Sequence, residues 1–327
     1  MEVLKNRTSR RTRMKPVYFN HDGGVDDLVS LFLLLQMEDI ELIGVSAIGA
    51  DSYLEPAVSA SRKIIDRFSD RKLAVAPSYE RGKNPFPKEW RMHAFFVDAL
   101  PILNEKRIEK RSAESELEAY QDIIEKINQS EVPVTLLFTG PLTDLAKALK
   151  IEPQLTKNIE RLVWMGGTFL TKGNVEEPEH DGTAEWNAFW DPEAVHTVFD
   201  SDIKIDMVAL ESTNQVPLTV DVRQYWADRR QHIGVDFLGV CYAAVPPLTH
   251  FITNSTYFLW DVLTTAFVGK PELVKSEAMK VKVIPHGPSQ GRTVKVMEEG
   301  RLVNVVNDVD RNAFFEYITQ LAEKVED

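Results

Sequence analysis

Three aspartates and two glycines fall within the eight residues Asn20-His21-Asp22-Gly23-Gly24-Val25-Asp26-Asp27. Carboxylates at that density are oxygen ligands for a hard cation, and a glycine pair lets the backbone turn sharply enough to aim several at one point. The plainer explanation is that acids favour the first turn of a helix, where the macrodipole welcomes negative charge. That explanation covers one aspartate and leaves the other two, and the glycines, without a reason. Further segments have a similar character: Thr139-Gly140-Pro141-Leu142 after an apolar run, Asp181-Gly182-Thr183-Ala184-Glu185-Trp186-Asn187 at the end of a polar loop, and the Trp260-Asp261 pair. Asp51, after Gly49-Ala50, is another acid at a strand end.

These residues need elements to hold them. Pro16-Val17-Tyr18-Phe19 is short and β-prone, whereas Leu28 to Leu35 is long enough for a helix. The acidic turn therefore joins a strand to a helix, on the side of an open α/β sheet where ligands gather. A strand over 41–48, a helix over 56–68 and a strand over 73–76 continue the βαβαβ order of a parallel sheet covered by helices. More strands are expected at 132–138, 161–165, 203–210, 281–284 and 301–306. Helices are expected near 117–127, from Thr143 or Asp144, after Asp191-Pro192, and over 311–324. No repeat or low-complexity linker interrupts the pattern. The expectation is one α/β domain from 14 to 327, a largely parallel mixed sheet flanked by helices. Arg7, Arg10, Arg11 and Arg13 crowd residues 1–13 with no apolar stretch behind them. That reads as a disordered basic extension, or as sequence upstream of a start at Met14, and not as a secretory signal.

The balance of 43% hydrophobic and 27% charged residues is that of a globular enzyme. A formal charge of −12 argues against nucleic acid or an anionic membrane surface as partner. No apolar stretch reaches the roughly 18 residues of a membrane helix. A lone cysteine, Cys241, excludes an internal disulfide and makes the reducing cytoplasm the expected compartment. Its apolar neighbours mark a buried structural thiol. The histidines show no metal-ligand spacing, and His250 is the one worth testing as a proton donor.

In their order and setting these motifs resemble the nucleoside hydrolases from Lys15 to near the C-terminus, and most closely the purine-preferring branch. The resemblance implies a calcium ion held by Asp22, Asp27, Asp261 and the backbone carbonyl of Thr139, with a water and the ribose 2′- and 3′-hydroxyls completing its shell. It implies cleavage of an N-glycosidic bond, with Asp22 as the general base that takes the water's proton. Asp26, Asn174, Glu185 and Asn187 are expected to hydrogen-bond the ribose. Trp260 stands where pyrimidine-accepting members carry an acidic histidine; with Trp90 it would sandwich a purine and assist its departure. Asp51 is expected to touch base or ribose, and Tyr257 to border the mouth. Gly24 departs from the purine branch, which has asparagine there. The family also implies a homodimer or homotetramer acting on a small-molecule nucleoside, and the stretch 220–257 reads as a lid. Alternatives are a broad or pyrimidine-accepting hydrolase, or a non-catalytic calcium-dependent nucleoside binder. An aspartyl-phosphate phosphatase would need its nucleophile at Asn20, and an amide cannot form the acyl-phosphate.

Overall fold

Val17, Tyr18 and Phe19 are fully buried because their strand lies inside the sheet and is covered on both faces. The computed structural model describes residues 14–243, 245 and 256–325; the basic stretch 1–13 and His250 lie outside the described residues. Nine strands form one sheet: β1 (Lys15–His21), β2 (Ile40–Ile48), β3 (Val75–Ser78), β4 (Val134–Phe138), β5 (Ile159–Met165), β6 (Ile205–Val208), β7 (Val274–Val283), β8 (Thr293–Lys295) and β9 (Arg301–Val309). Their order is β3-β2-β1-β4-β5-β6-β9-β7-β8. Neighbours pair in parallel from β3 through to β9, while β7 runs against both β9 and β8.

The order places β1 between β2 and β4, so the chain winds outward in both directions from this point. A crevice opens at such a switch, beyond the carboxyl ends of the two strands. The acidic turn follows β1 and the Thr139-Gly140 pair follows β4, so both face that crevice. The helix Val25–Gln36 after the turn is buried from Val25 through Leu35. A helix apolar on nearly every face must be enclosed. It packs against the helices Leu54–Phe68, Trp260–Gly269 and Arg311–Glu323 on one side of the sheet. The other side holds a second core around Tyr18, Phe138 and Trp164.

The single α/β domain and its mixed sheet follow the sequence pattern, with differences at the edges. β6 covers four residues, and Leu210 instead opens the short helix Leu210–Thr213. β7 runs ten residues where only its end was expected, because most of its first half is solvent-exposed and carries Lys275, Ser276 and Glu277. A strand without a covered face lacks the apolar signature that periodicity detects. β8, three residues long, escaped for a similar reason. The expected lid begins as the helices Val220–Ala227 and Ile233–Ala243, and most of its remainder lies outside the described residues. Cys241 is fully buried, as its neighbours indicated. Among the described residues, no helix is long and apolar enough to cross a membrane.

Candidate active site

The turn after β1 works through its two glycines in different ways. Gly23 has a φ of +82°, in the left-handed region that glycine enters without steric cost. Gly24 is the N-cap of the next helix, and its N–H donates to Asp27 Oδ2 at 2.8 Å. Asp26 and Asp27 thus occupy the first helical turn, and both are buried together with Asp22. From β4, the Thr139 hydroxyl donates to Asp27 Oδ1, and the Thr139 N–H donates to the Asn20 carbonyl at 3.0 Å.

A second set closes the ring from the far side of β4. Asn187 Nδ2 donates to the carbonyls of Thr139 and Met165, at 3.0 and 3.1 Å. Glu185 caps the short helix Trp186–Trp190: its carboxylate accepts the N–H groups of Asn187 (2.8 Å), Ala188 (3.1 Å) and Gly167 (2.8 Å). One carboxylate therefore ties the end of β5 to the segment that carries Asn187.

Asp26 does comparable work for the helix Trp260–Gly269. Its Oδ2 accepts the N–H groups of Asp261 and Val262, at 2.7 and 3.4 Å, and the Tyr242 hydroxyl donates to its Oδ1. This bonding holds Trp260 and Asp261 beside the turn. Tyr242 is the participant that sequence reasoning missed, since a tyrosine in an apolar helical run carries no local sign of a distant acid.

Burial is the largest influence on these carboxyls, and for most of them neighbouring acids add to it. Burial raises the Asp22 carboxyl well above the usual range, and Asp27 and Asp51 push it further. Asp261 is raised by burial and by the fields of Asp27, Asp26, Asp22 and Asp51. Burial raises Asp26 to about 7 against the hydrogen bonds it accepts from Tyr242 and Asp261. Asp51 also reaches about 7, through burial and then Asp27 and Asp26, with Arg91 opposing. Burial lifts Asp27 despite its hydrogen bonds, and Glu185 to about 7. Such a gathering calls for a positive charge.

Whether the donors fit a metal ion is a chemical question. Among the described residues, no three histidine, cysteine or acidic side chains close on one point by themselves. The donor set nevertheless suits a hard divalent ion. The carboxyls of Asp22 and Asp27 lie within hydrogen-bond reach of each other, and Asp261 lies in the field of both. The Thr139 carbonyl keeps a free lone pair beside the one Asn187 uses. Oxygen donors of this kind are what calcium takes.

A pH dependence follows. A carboxylate raised in the folded state contributes stability that is full below its unfolded value, near about 4, and lost as the pH rises through its folded value. Protein stripped of metal by a chelator should therefore melt at progressively lower temperature as the pH rises through the region of about 7 where Asp26, Asp51 and Glu185 titrate. Calcium should restore the melting temperature above that region and change little below it. A flat profile with no calcium response in scanning calorimetry would count against the assignment.

Other expected site residues lie further out. Asn174 Oδ1 accepts the Trp186 N–H at 3.0 Å, and the Trp90 ring meets Trp186 edge-on with centroids 5.7 Å apart. Trp90 and Trp186 line a cavity of about 280 Å³ together with Pro87, Glu89, Glu176 and Glu177. Trp260 packs edge-on against Tyr257, centroids 4.7 Å apart, and Tyr257 lies in the field of Asp26 and Asp51. His21, although inside the acidic turn, is structural: burial lowers its ring to about 3, and its Nε2 lies 3.1 Å from the Ser61 hydroxyl.

A mostly parallel α/β sheet with a buried carboxylate cluster at its switch point, ringed by amide and backbone donors, is the setting in which open α/β enzymes bind small molecules. The chain belongs to the inosine-uridine preferring nucleoside hydrolase family, which it matches over residues 17–316. This is a family of N-glycosyl hydrolases known to bind a metal ion. The fold is similar to that of an inosine-uridine preferring nucleoside hydrolase from Bacillus anthracis, with TM-score 0.90, 62% identity, and coverage of 95% of this chain and 100% of that one. The chain is 27% identical to the pyrimidine-specific ribonucleoside hydrolase RihB of Escherichia coli strain SE11, over 86% of this chain and 87% of that protein. It is 28% identical to a probable uridine nucleosidase 1 of Oryza sativa subsp. japonica, over 61% of this chain. That match spans 59% of the rice protein's length.

Proposed function

We propose that this protein hydrolyses the N-glycosidic bond of ribonucleosides, purine ribonucleosides foremost, to free base and ribose. The observation that carries the reading is the meeting of Asp22, Asp26, Asp27, Asp51 and Asp261 in one another's fields at the β1/β4 crevice. The sugar becomes cationic in the transition state, so surrounding carboxylates stabilise it more than the neutral substrate, which is the differential catalysis needs.

The metal is proposed to be calcium, held by Asp22, Asp27, Asp261 and the Thr139 carbonyl; when bound it would acidify a water and seat the ribose hydroxyls. Asp22 receives the proton of the attacking water as general base. Asn187 has its amide N–H groups engaged on Thr139 and Met165, which leaves Oδ1 to accept a ribose hydroxyl. Asn174 is the reverse: its Oδ1 is used by Trp186, leaving Nδ2 to donate. Glu185 keeps one lone pair beyond the three backbone donors, and Asp26 orients the sugar from the turn. Trp260 and Trp90 stack on the base. Cytoplasmic location and a homodimer or homotetramer complete the proposal.

A second reading, a pyrimidine or broad specificity, is favoured by the names of the rice and Escherichia coli relatives. One assay separates the two. The purified protein with calcium is incubated with inosine, adenosine, guanosine, uridine and cytidine, and released base and ribose are followed. A higher kcat/KM for uridine than for inosine replaces the first reading with the second; no release from any of them defeats both. Trp260→Ala is expected to cost inosine cleavage about tenfold to a hundredfold, the worth of one base–aromatic stack. A nitrophenyl riboside, whose leaving group needs no proton, should lose much less. Equal losses on both would remove Trp260 from leaving-group assistance.

A further inference from the structure

The polar loop that carries Asn174 is closed upon itself. The Gly173 N–H donates to the Gly182 carbonyl at 2.7 Å, and the Asn174 N–H to the Ala184 carbonyl at 3.1 Å. Asn174 therefore lies where Gly182 and Ala184 put it. A loop bonded only to itself can still shift as a body, so its place in the molecule has to be set from outside.

The turn 284–292, which joins β7 to β8 and has no part in the acid cluster, supplies that anchor. His180 Nε2 lies 2.9 Å from the Gln290 carbonyl, and the Gly182 N–H donates to His180 Nδ1 at 3.0 Å. The partners fix both nitrogens: a backbone N–H needs a bare Nδ1, and a carbonyl needs a protonated Nε2. The side chain is 2% exposed, and its ring meets Phe189 edge-on with centroids 4.7 Å apart. The same turn grips the next residue, where the Asp181 N–H donates to the Pro288 carbonyl at 2.9 Å and the Ser289 hydroxyl to Asp181 Oδ2. Gly291, at a φ of +85°, runs so close to the helix Trp186–Trp190 that a Cβ there would lie 2.6 Å from Phe189 Cα. Thr293, at the start of β8, accepts the Thr168 N–H at 3.0 Å and donates to the Thr168 carbonyl at 2.7 Å.

Resting on the nucleoside reading above, we infer that His180 is a positioning residue for nucleoside binding, a two-sided clasp through which the β7–β8 turn fixes the loop 173–184 and the place of Asn174. The links run from the Gln290 carbonyl through the imidazole to Gly182 and on to Gly173, one residue short of Asn174. His180 acts through Asn174 and not on the substrate. Sequence reasoning passed over this histidine because its partner on the turn stands 110 positions away.

The test uses two substitutions in the full-length protein that each keep one side of the clasp. His180→Asn leaves an oxygen near the place of Nδ1 for the Gly182 N–H and falls short of Gln290; His180→Gln reaches Gln290 and gives up Gly182. Both are expected to raise KM for inosine about threefold to tenfold, the worth of one hydrogen bond. The kcat and the calcium half-saturation should change little, because Asp22, Asp27 and Asp261 stand on other segments. In the background of Asn174→Ala, His180→Asn should raise KM no further, since both act at the same contact. Amide exchange followed by mass spectrometry should quicken across 173–184 in both variants and keep its rate across 15–36. Either variant matching the parent in KM, losses that add to that of Asn174→Ala, or unchanged exchange across 173–184 would overturn the clasp. Protection lost throughout the chain would also overturn it, since the ring would then serve general packing. If the parent neither cleaves nor binds nucleosides, the hydrolase reading fails by itself, and exchange across 173–184 still decides whether His180 fastens the loop.

Discussion

Asp22→Asn is expected to reduce kcat by about a thousandfold, the usual worth of a positioned general base, while the fold survives. The substitution keeps size and shape, and it keeps an oxygen that can accept from Asp51 N–H. What it removes is the group able to receive a proton, and one of the acids that repel each other in this pocket. The same variant should therefore melt at a higher temperature than the parent in metal-free buffer at neutral pH, because Asp27, Asp51 and Asp261 lose a neighbour that opposes their ionisation. Loss of activity with gain of metal-free stability is a combination that simple misfolding does not produce. Asp22 is also a proposed ion ligand, so activity must be measured across a calcium titration. A residual rate that stays low at saturating calcium reports the proton transfer, and a rate that recovers to within tenfold of the parent would remove the general-base role.

Glu185→Gln should be the most destabilising conservative change in the site. Both oxygens of Glu185 face backbone N–H groups, those of Asn187, Ala188 and Gly167. Replacing either oxygen with an NH₂ group sets donor against donor in a place with 2% exposure, where water cannot intervene. With each orphaned buried donor worth about 1–3 kcal/mol, the loss should be about 2–4 kcal/mol in chemical denaturation. Activity should fall with it, because Asn187 and its contact with the Thr139 carbonyl depend on this cap. Denaturation midpoints matching the parent's would show that the carboxylate is not what holds the segment, and would leave Glu185 only as a proposed sugar contact.

Both expectations depend on residues named from sequence, yet the two cases differ in what sequence could say. The Asp22 turn was legible because its signals are local: an apolar run, a Gly-Gly turn, acids at the start of an apolar helix. The same holds for Asp191-Pro192, where Asp191 Oδ1 does cap the helix Pro192–Phe199 through the Ala194 N–H at 3.1 Å. Glu185 was named by resemblance as a sugar contact, and its dominant bonds turned out to be with backbone. Asp26, also named as a ribose contact, likewise accepts two backbone N–H groups. No periodicity reveals that Tyr242, 216 positions along the chain, donates to it, or that it fixes the start of the helix carrying Trp260 and Asp261.

By itself, then, the sequence determined the parallel α/β architecture, the strand-end position of the acids and their suitability for a hard cation. Hydrophobic period, turn chemistry and ligand type are properties of short segments, so they can be read in order along the chain. The tertiary structure alone decided which acids lie in one another's fields and which carboxylates are already used by backbone donors. Those are matters of distance between remote segments in a medium with little water, where a few ångströms change both the hydrogen bonds and the charge a carboxyl can carry.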